Sequence, residues 1–175
     1  GQVTLKDRIP ISAKAAAAPP SKIGLAAGSS IKVEDAIYAL VTKSANDIYV
    51  AIAEVMAGSE QRFATVMTQR AREIGMDRTL VRNASGLPDT KQVTTARDMA
   101  RLARYMLMRY PHHYHYFGTK QFTYRGQTYG NHNKLMLSYK GMDGFKTGYI
   151  NASGFNLVAS AKRDGRRLIG VVFGG

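Results

Sequence analysis

With 175 residues, 45% of them hydrophobic, and a net charge of +13, the chain suits one globular domain and excludes both a wholly disordered tail and a large multidomain assembly. The absence of cysteine excludes a disulfide scaffold, a zinc knuckle, an iron–sulfur cluster and a thiol nucleophile. The excess of Lys and Arg points to an acidic partner, whether nucleic acid, an anionic envelope polymer or a carboxylate substrate, and charge alone does not choose among them. No run is long enough to span a bilayer, and residues 1–18 lack the basic-then-apolar pattern of a signal peptide, so any export signal is expected outside this chain.

The first thirty residues read as loop or strand ends, because Ala15 to Ala18 run into Pro19 and Pro20 and then into Gly24, Gly28, Ser29 and Ser30. From Val33 a helix is predicted: Glu34 and Asp35 suit the positive end of a helix dipole, and Ala36, Ile37, Leu40 and Val41 follow at helical spacing. That helix ends near Lys43. After a short break at Ser44 and Ala45, Asn46 is the expected N-cap of a second helix carrying Ile48, Ala51, Ile52, Val55 and Met56, with Gly58 closing it. Ser59 caps a third, whose expected stripe is Phe63, Val66, Met67, Arg70, Ala71 and Ile74, stopped by Gly75. Asn83 to Asp89 is turn chemistry. Thr95 and Asp98 resemble a capping box opening a fourth helix, with Met99, Leu102, Ala103 and Met106 inside and Pro111 beyond its end. The period then shortens to two. Phe122 and Tyr124 precede a turn at Arg125 and Gly126, and residues 155–162 and 166–173 flank the hairpin signal Asp164-Gly165. Helices first and antiparallel strands last predict an α+β fold with helices packed on a sheet.

Two short motifs carry chemistry: Ser44-Ala45-Asn46 in the break between helices, and Lys146-Thr147-Gly148, expected to open the strand region. Alone, each reads as a helix cap or as a strand with an exposed lysine. In this order they match the second and third parts of the serine acyl-transferase signature S-x-x-K, S-x-N and K-T-G. Further matching stretches are Pro19-Pro20-Ser21-Lys22, residues 33–47, Asn83 to Pro88, Asn131-His132-Asn133 and Asp143 to Tyr149. With these the chain resembles the D-alanyl-D-alanine carboxypeptidases of the low-molecular-mass penicillin-binding proteins, serine peptidase family S11.

That resemblance implies the penicillin-binding-protein/serine β-lactamase-like transpeptidase fold, with residues 1–175 part of a single domain that is incomplete at both ends. It implies removal of the terminal D-alanine of peptidoglycan stem pentapeptides through an acyl-enzyme, binding of β-lactam antibiotics, and no cofactor or metal. Ser44 would relay a proton to the leaving D-alanine, Asn46 would bond the substrate amide or the family's first-motif lysine, and Lys146 with Thr147 would take the substrate carboxylate. Gly148 would let a backbone approach, and Tyr149 N–H would donate to the oxyanion. Periplasmic or cell-surface localisation follows, with peripheral membrane association through segments outside this chain and no nucleic-acid partner.

The family's nucleophile segment is not expected within this chain. Ser29-Ser30-Ile31-Lys32 fits S-x-x-K, but it follows Gly28 in a turn-rich loop that would leave Lys32 in water, and a lysine serves as base only when burial or neighbouring cations lower its pKa. His112, His113 and His115 read as surface residues among surface aromatics Tyr114 and Tyr116, Arg97, Arg101 and Arg104 as a solvated helix face, and His132 as a structural hydrogen-bonding residue. A serine β-lactamase, a muropeptide endopeptidase, a noncatalytic cell-wall-binding module and a nucleic-acid-binding protein are the alternatives to the carboxypeptidase.

Overall fold

In the computed structural model, which describes residues 3–175, the opening segment is more ordered than its composition suggests. Strand β1 (Arg8–Pro10) and strand β2 (Ser30–Lys32) pair antiparallel, and between them Ser12 caps the single-turn helix α1 (Ala13–Ala16) by accepting from Ala15 N–H at 3.0 Å. Alanine is the best helix former, which accounts for the turn, and Pro19 ends any continuation. Ser30 and Lys32 therefore lie on a strand, with Lys32 exposed and the Ser29 hydroxyl donating to the Ala26 carbonyl. No helix face brings Ser29 and Lys32 together.

Helix α2 (Val33–Lys43) ends at Ser44, whose backbone is left-handed (φ 55°, ψ 46°), and helix α3 (Asn46–Ala57) follows at once. The cap differs from the expected one. Ala45 is the N-cap residue and Asn46 is already the first helical residue, because its side-chain amide is drawn to the Pro19 carbonyl instead (3.0 Å). Helix α4 (Glu60–Glu73) is capped by Ser59 as expected, but its buried flank is centred on Ala64 and Ala71, and Val66 is 52% exposed. Helix α5 (Ala96–Arg109) begins with the Thr95 hydroxyl accepting from Asp98 N–H, while the Asp98 carboxylate turns away to Arg78 N–H and the Thr79 hydroxyl.

A 3₁₀ helix (Pro111–Gly118) leads into the ribbon of β3 (Gln121–Tyr124) and β4 (Gln127–Gly130), then the short helix α6 (Leu135–Ser138). The last three strands, β5 (Met142–Ile150), β6 (Gly154–Arg163) and β7 (Arg166–Val172), form an antiparallel sheet in that order. Lys146-Thr147-Gly148 consequently sits inside β5 and does not open it, since pairing already begins at Met142 opposite Ala161.

Two apolar clusters organise these elements. Ile9, Ile11, Ile31, Ala39, Ile48 and Phe122 belong to the first, which joins β1, β2, α2, α3 and the β3–β4 ribbon. Each fully buried isoleucine there contributes about 2 kcal/mol of transfer free energy. The second gathers Ala103, Phe145 and Val158 with Met99, Met106, Leu107, Ile169 and Val171, and it seats α5 on the three-stranded sheet. The 3₁₀ helix faces both. Tyr116 packs edge-on to Tyr38 of α2 at 5.1 Å and donates to Glu34, whereas Tyr114 and Phe117 meet Phe145 of β5 at 5.0 and 4.9 Å. Tyr114 and Tyr116 are thus packing residues and not surface aromatics: only 4% of Tyr116 is exposed, its ring lying against Tyr38, which packs on the first cluster.

Candidate active site

The turn that carries Ser44 is held from outside its own helices. Asn46 N–H donates to the Ser21 carbonyl (2.7 Å), the Ser21 hydroxyl donates to the Lys43 carbonyl (2.9 Å), and the Asn46 amide reaches Pro19. Beneath it, fully buried Asp47 accepts from the backbone N–H groups of Ile23, Gly24 and Leu25 and from Ile48 N–H. A buried carboxylate needs such donors. The stretch from Pro19 to Leu25 is thereby strapped to the start of α3, and Ser44 is fixed without its hydroxyl being spent on capping. The neighbouring Tyr49 phenol is pushed up by burial, with a hydrogen bond from Ser44 opposing.

On the other side lies β5, an edge strand of its sheet. Side chains alternate along a strand. Phe145 is buried against Tyr114 and Phe117; Lys146, opposite Val158, and Thr147, opposite Leu157, leave the strand on alternate faces, and both line the cleft. Burial lowers the Lys146 ammonium from 10.5 to about 8, and its Nζ donates to the Thr147 carbonyl (2.8 Å). The charge is therefore present at neutral pH but is titratable, not fixed. Gly148 has an ordinary backbone conformation, and a Cβ added there would meet only Asn156 Cβ, at 3.9 Å. Tyr149 is more than half exposed, with its ring against Phe155 (4.7 Å).

The third wall comes from the stretch after β4. Asn131 donates to the Val41 and Thr119 carbonyls and accepts from Asn133 N–H, which ties this loop to α2. His132 is held below its ordinary value by burial and by the positive charges of Lys146 and Lys43. The Asn83–Pro88 turn adds Ser85, Gly86 and Leu87.

Together these walls enclose a cleft of about 980 Å³. Ser44, Asn46, Lys146, Thr147, Gly148 and Tyr149 all line it, although the two motifs are far apart in sequence. Ser21, Tyr49 and Asn156 line it too. Ser21 belongs to the matching stretch Pro19–Lys22, whereas only tertiary position marks Tyr49 and Asn156. His112, His113 and His115 lie on the exposed side of the 3₁₀ helix, away from the cleft lining. A hydroxyl on a rigid turn, a buried ammonium and an edge strand with backbone groups turned outward can hold an extended peptide, bind a carboxylate and move a proton.

The family model described as D-alanyl-D-alanine carboxypeptidase, Peptidase S11, matches residues 1–175. The chain belongs to that family. It is 35% identical to the D-alanyl-D-alanine carboxypeptidase DacF of Bacillus subtilis over 99% of this chain and 46% of that protein. The crystal structure of DacD from Francisella tularensis superimposes with a TM-score of 0.94 at 30% identity, over 99% of this chain and 55% of that one. Penicillin binding protein 5 from Haemophilus influenzae gives 0.93 at 31% identity, over 98% and 52%. The chain thus spans about half the length of these relatives, and the fold is the α+β penicillin-binding-protein transpeptidase fold.

Proposed function

We propose that this chain supplies the leaving-group and carboxylate side of a serine D-Ala-D-Ala carboxypeptidase site. The single observation that carries this reading is the convergence of Ser44-Ala45-Asn46 and Lys146-Thr147-Gly148-Tyr149 on one cleft in a chain of the S11 family. A stem peptide ending in D-Ala-D-Ala lies extended along the free edge of β5. Its terminal carboxylate meets the Lys146 ammonium and the Thr147 hydroxyl, an ionised pairing roughly twice as strong as a neutral hydrogen bond.

Within residues 1–175 the S-x-x-K pattern occurs at Ser29–Lys32, where Ser29 precedes strand β2 and Lys32, on it, is exposed. In this reading the nucleophile is supplied from outside residues 1–175. Its serine oxygen bonds to the penultimate carbonyl carbon, and the bond to the terminal D-alanine nitrogen breaks. The serine proton passes to the nucleophile's lysine and from it to Ser44, which in the same step hands its own proton to the departing amine. Tyr149 N–H is one oxyanion donor. Asn46 directs the substrate amide with its Oδ1, since its Nδ2 is engaged by Pro19. Water then cleaves the ester. A β-lactam occupies the same place, its carboxylate on Lys146 and Thr147. Peptidoglycan lies outside the cytoplasmic membrane, so the site of action is periplasmic or on the cell surface.

The test is release of D-alanine from a D-Ala-D-Ala peptide, together with penicillin labelling, by the intact protein that carries this chain. Lys146→Ala is expected to lower kcat/KM roughly 100-fold, as loss of a desolvated charged contact does. A Lys146→Ala protein within threefold of wild type refutes the assignment.

A further inference from the structure

Asp143 is the extra residue of a bulge in β5: Met142 pairs with Ala161 and Gly144 with Ser160, so Asp143 has no partner on β6. Its carboxylate accepts three hydrogen bonds from two side chains. Arg167 of β7 donates from both terminal nitrogens at 2.7 Å, and the Tyr114 hydroxyl of the 3₁₀ helix donates at 2.8 Å. The same guanidinium donates to the Ser160 hydroxyl and lies over the Tyr114 ring, 5.0 Å from its centroid. Neither charged side chain is more than about a third exposed. Tyr114 also sits directly on the bulge, because a Cβ at Gly144 would come within 2.7 Å of its hydroxyl.

A strand's side chains alternate with a period of two, and a bulge shifts that alternation by one residue. Without the bulge, Phe145 would stand opposite Val158 and Lys146 opposite Leu157, where Ala159 and Val158 are their present partners, so Lys146 would leave the strand on the other face of the sheet. We propose that Arg167 and Tyr114, by clamping Asp143, are positioning residues that hold the β5 bulge in register and so aim Lys146 at the substrate carboxylate. The proposal rests on the reading of Lys146 given above. It also explains why an ion pair remains beside a strand that needs none for pairing: bidentate geometry fixes direction, which a lone lysine in place of Arg167 would not.

The experiment compares wild type, Arg167→Gln, Arg167→Lys and Asp143→Asn in the intact protein. One readout is the ratio of kcat/KM for a D-Ala-D-Ala peptide with a free terminal carboxylate to that for its terminal amide. The other is the pH profile of acetylation at Lys146, mapped by mass spectrometry with exposed Lys140 as an internal reference. The clamp predicts that Arg167→Gln and Asp143→Asn each reduce the carboxylate preference about tenfold or more. It also predicts a double variant little worse than either single one, because the residues act as one unit. In both, Lys146 labelling moves toward the profile of Lys140, and Arg167→Lys restores only part of the wild-type behaviour. A folded Arg167→Gln protein with wild-type preference and labelling overturns the clamp. If wild type itself does not prefer the free carboxylate, the functional reading fails, and the labelling profiles alone decide whether the clamp aims Lys146.

Discussion

Replacing Lys146 by methionine should make this protein more stable while removing the D-alanine release proposed for it. Burial lowers the Lys146 ammonium from 10.5 to about 8. At about 1.4 kcal/mol per pH unit, keeping that charge in the folded cleft at neutral pH costs ~3 kcal/mol. Methionine keeps most of the volume and removes the charge, but it also removes the hydrogen bond to the Thr147 carbonyl, which offsets roughly 1.5 kcal/mol. A net gain of about 1–2 kcal/mol is left, or roughly 3–6 °C in Tm for a chain of this size. The sign with pH is fixed by linkage. The folded value lies below the unfolded one, so between about pH 8 and pH 10.5 the unfolded chain binds more protons, and wild-type stability rises with pH through that window. The advantage of Lys146→Met should therefore shrink as pH approaches 10.5. Thermal or urea melts at pH 7 and pH 10.5 measure both quantities. A variant no more stable than wild type at pH 7, or one whose advantage is the same at both pH values, would refute the burial argument.

Three other perturbations probe the site's supports. Ser44→Ala should reduce D-alanine release by roughly 100-fold with almost no change in Tm, because the Ser44 side chain caps neither helix; a destabilised but fully active variant would remove Ser44 from the relay. Asp47→Asn should lower stability by about 3 kcal/mol in urea melts, since it weakens the buried acceptor of the Ile23, Gly24 and Ile48 N–H groups, and a loss under about 1 kcal/mol would contradict it. Against the pull of burial, hydrogen bonds from Thr79 and Arg78 hold Asp98 below the ordinary carboxylate range. Its stabilisation is then complete above about pH 4 and is lost as pH falls through the folded value; Asp98→Asn should flatten the acid limb of a Tm-against-pH curve.

What could be seen in the chain beforehand divides along a physical line. Helices α2 and α5, the turn at Arg125-Gly126 and the hairpin at Asp164-Gly165 were legible because acidic first turns, apolar spacing and turn residues act over a few positions. The pairing of β1 with β2 was not, since each strand offers three residues with one buried, too few to show alternation. Asn46 looked like a cap because asparagine prefers that position in isolation, and only the approach of Pro19 from upstream overrides the preference. The motif residues of the cleft were legible as a pair of tripeptides. Asp47, Tyr49 and the clamp around Asp143 were not, because their roles depend on partners from distant strands or helices.

The 3₁₀ helix between Pro111 and Gly118 has a consequence for how the protein fails on warming. Ser44 rides on one apolar cluster and Lys146 on the other, and Tyr116 and Tyr114 join them through opposite faces of a single short segment. Helices of this type have poorer hydrogen-bond geometry than α-helices, so the seam should loosen while both clusters are still intact. Inactivation would then precede melting as a reversible misalignment of two well-folded halves, and brief heating followed by cooling would restore turnover in full.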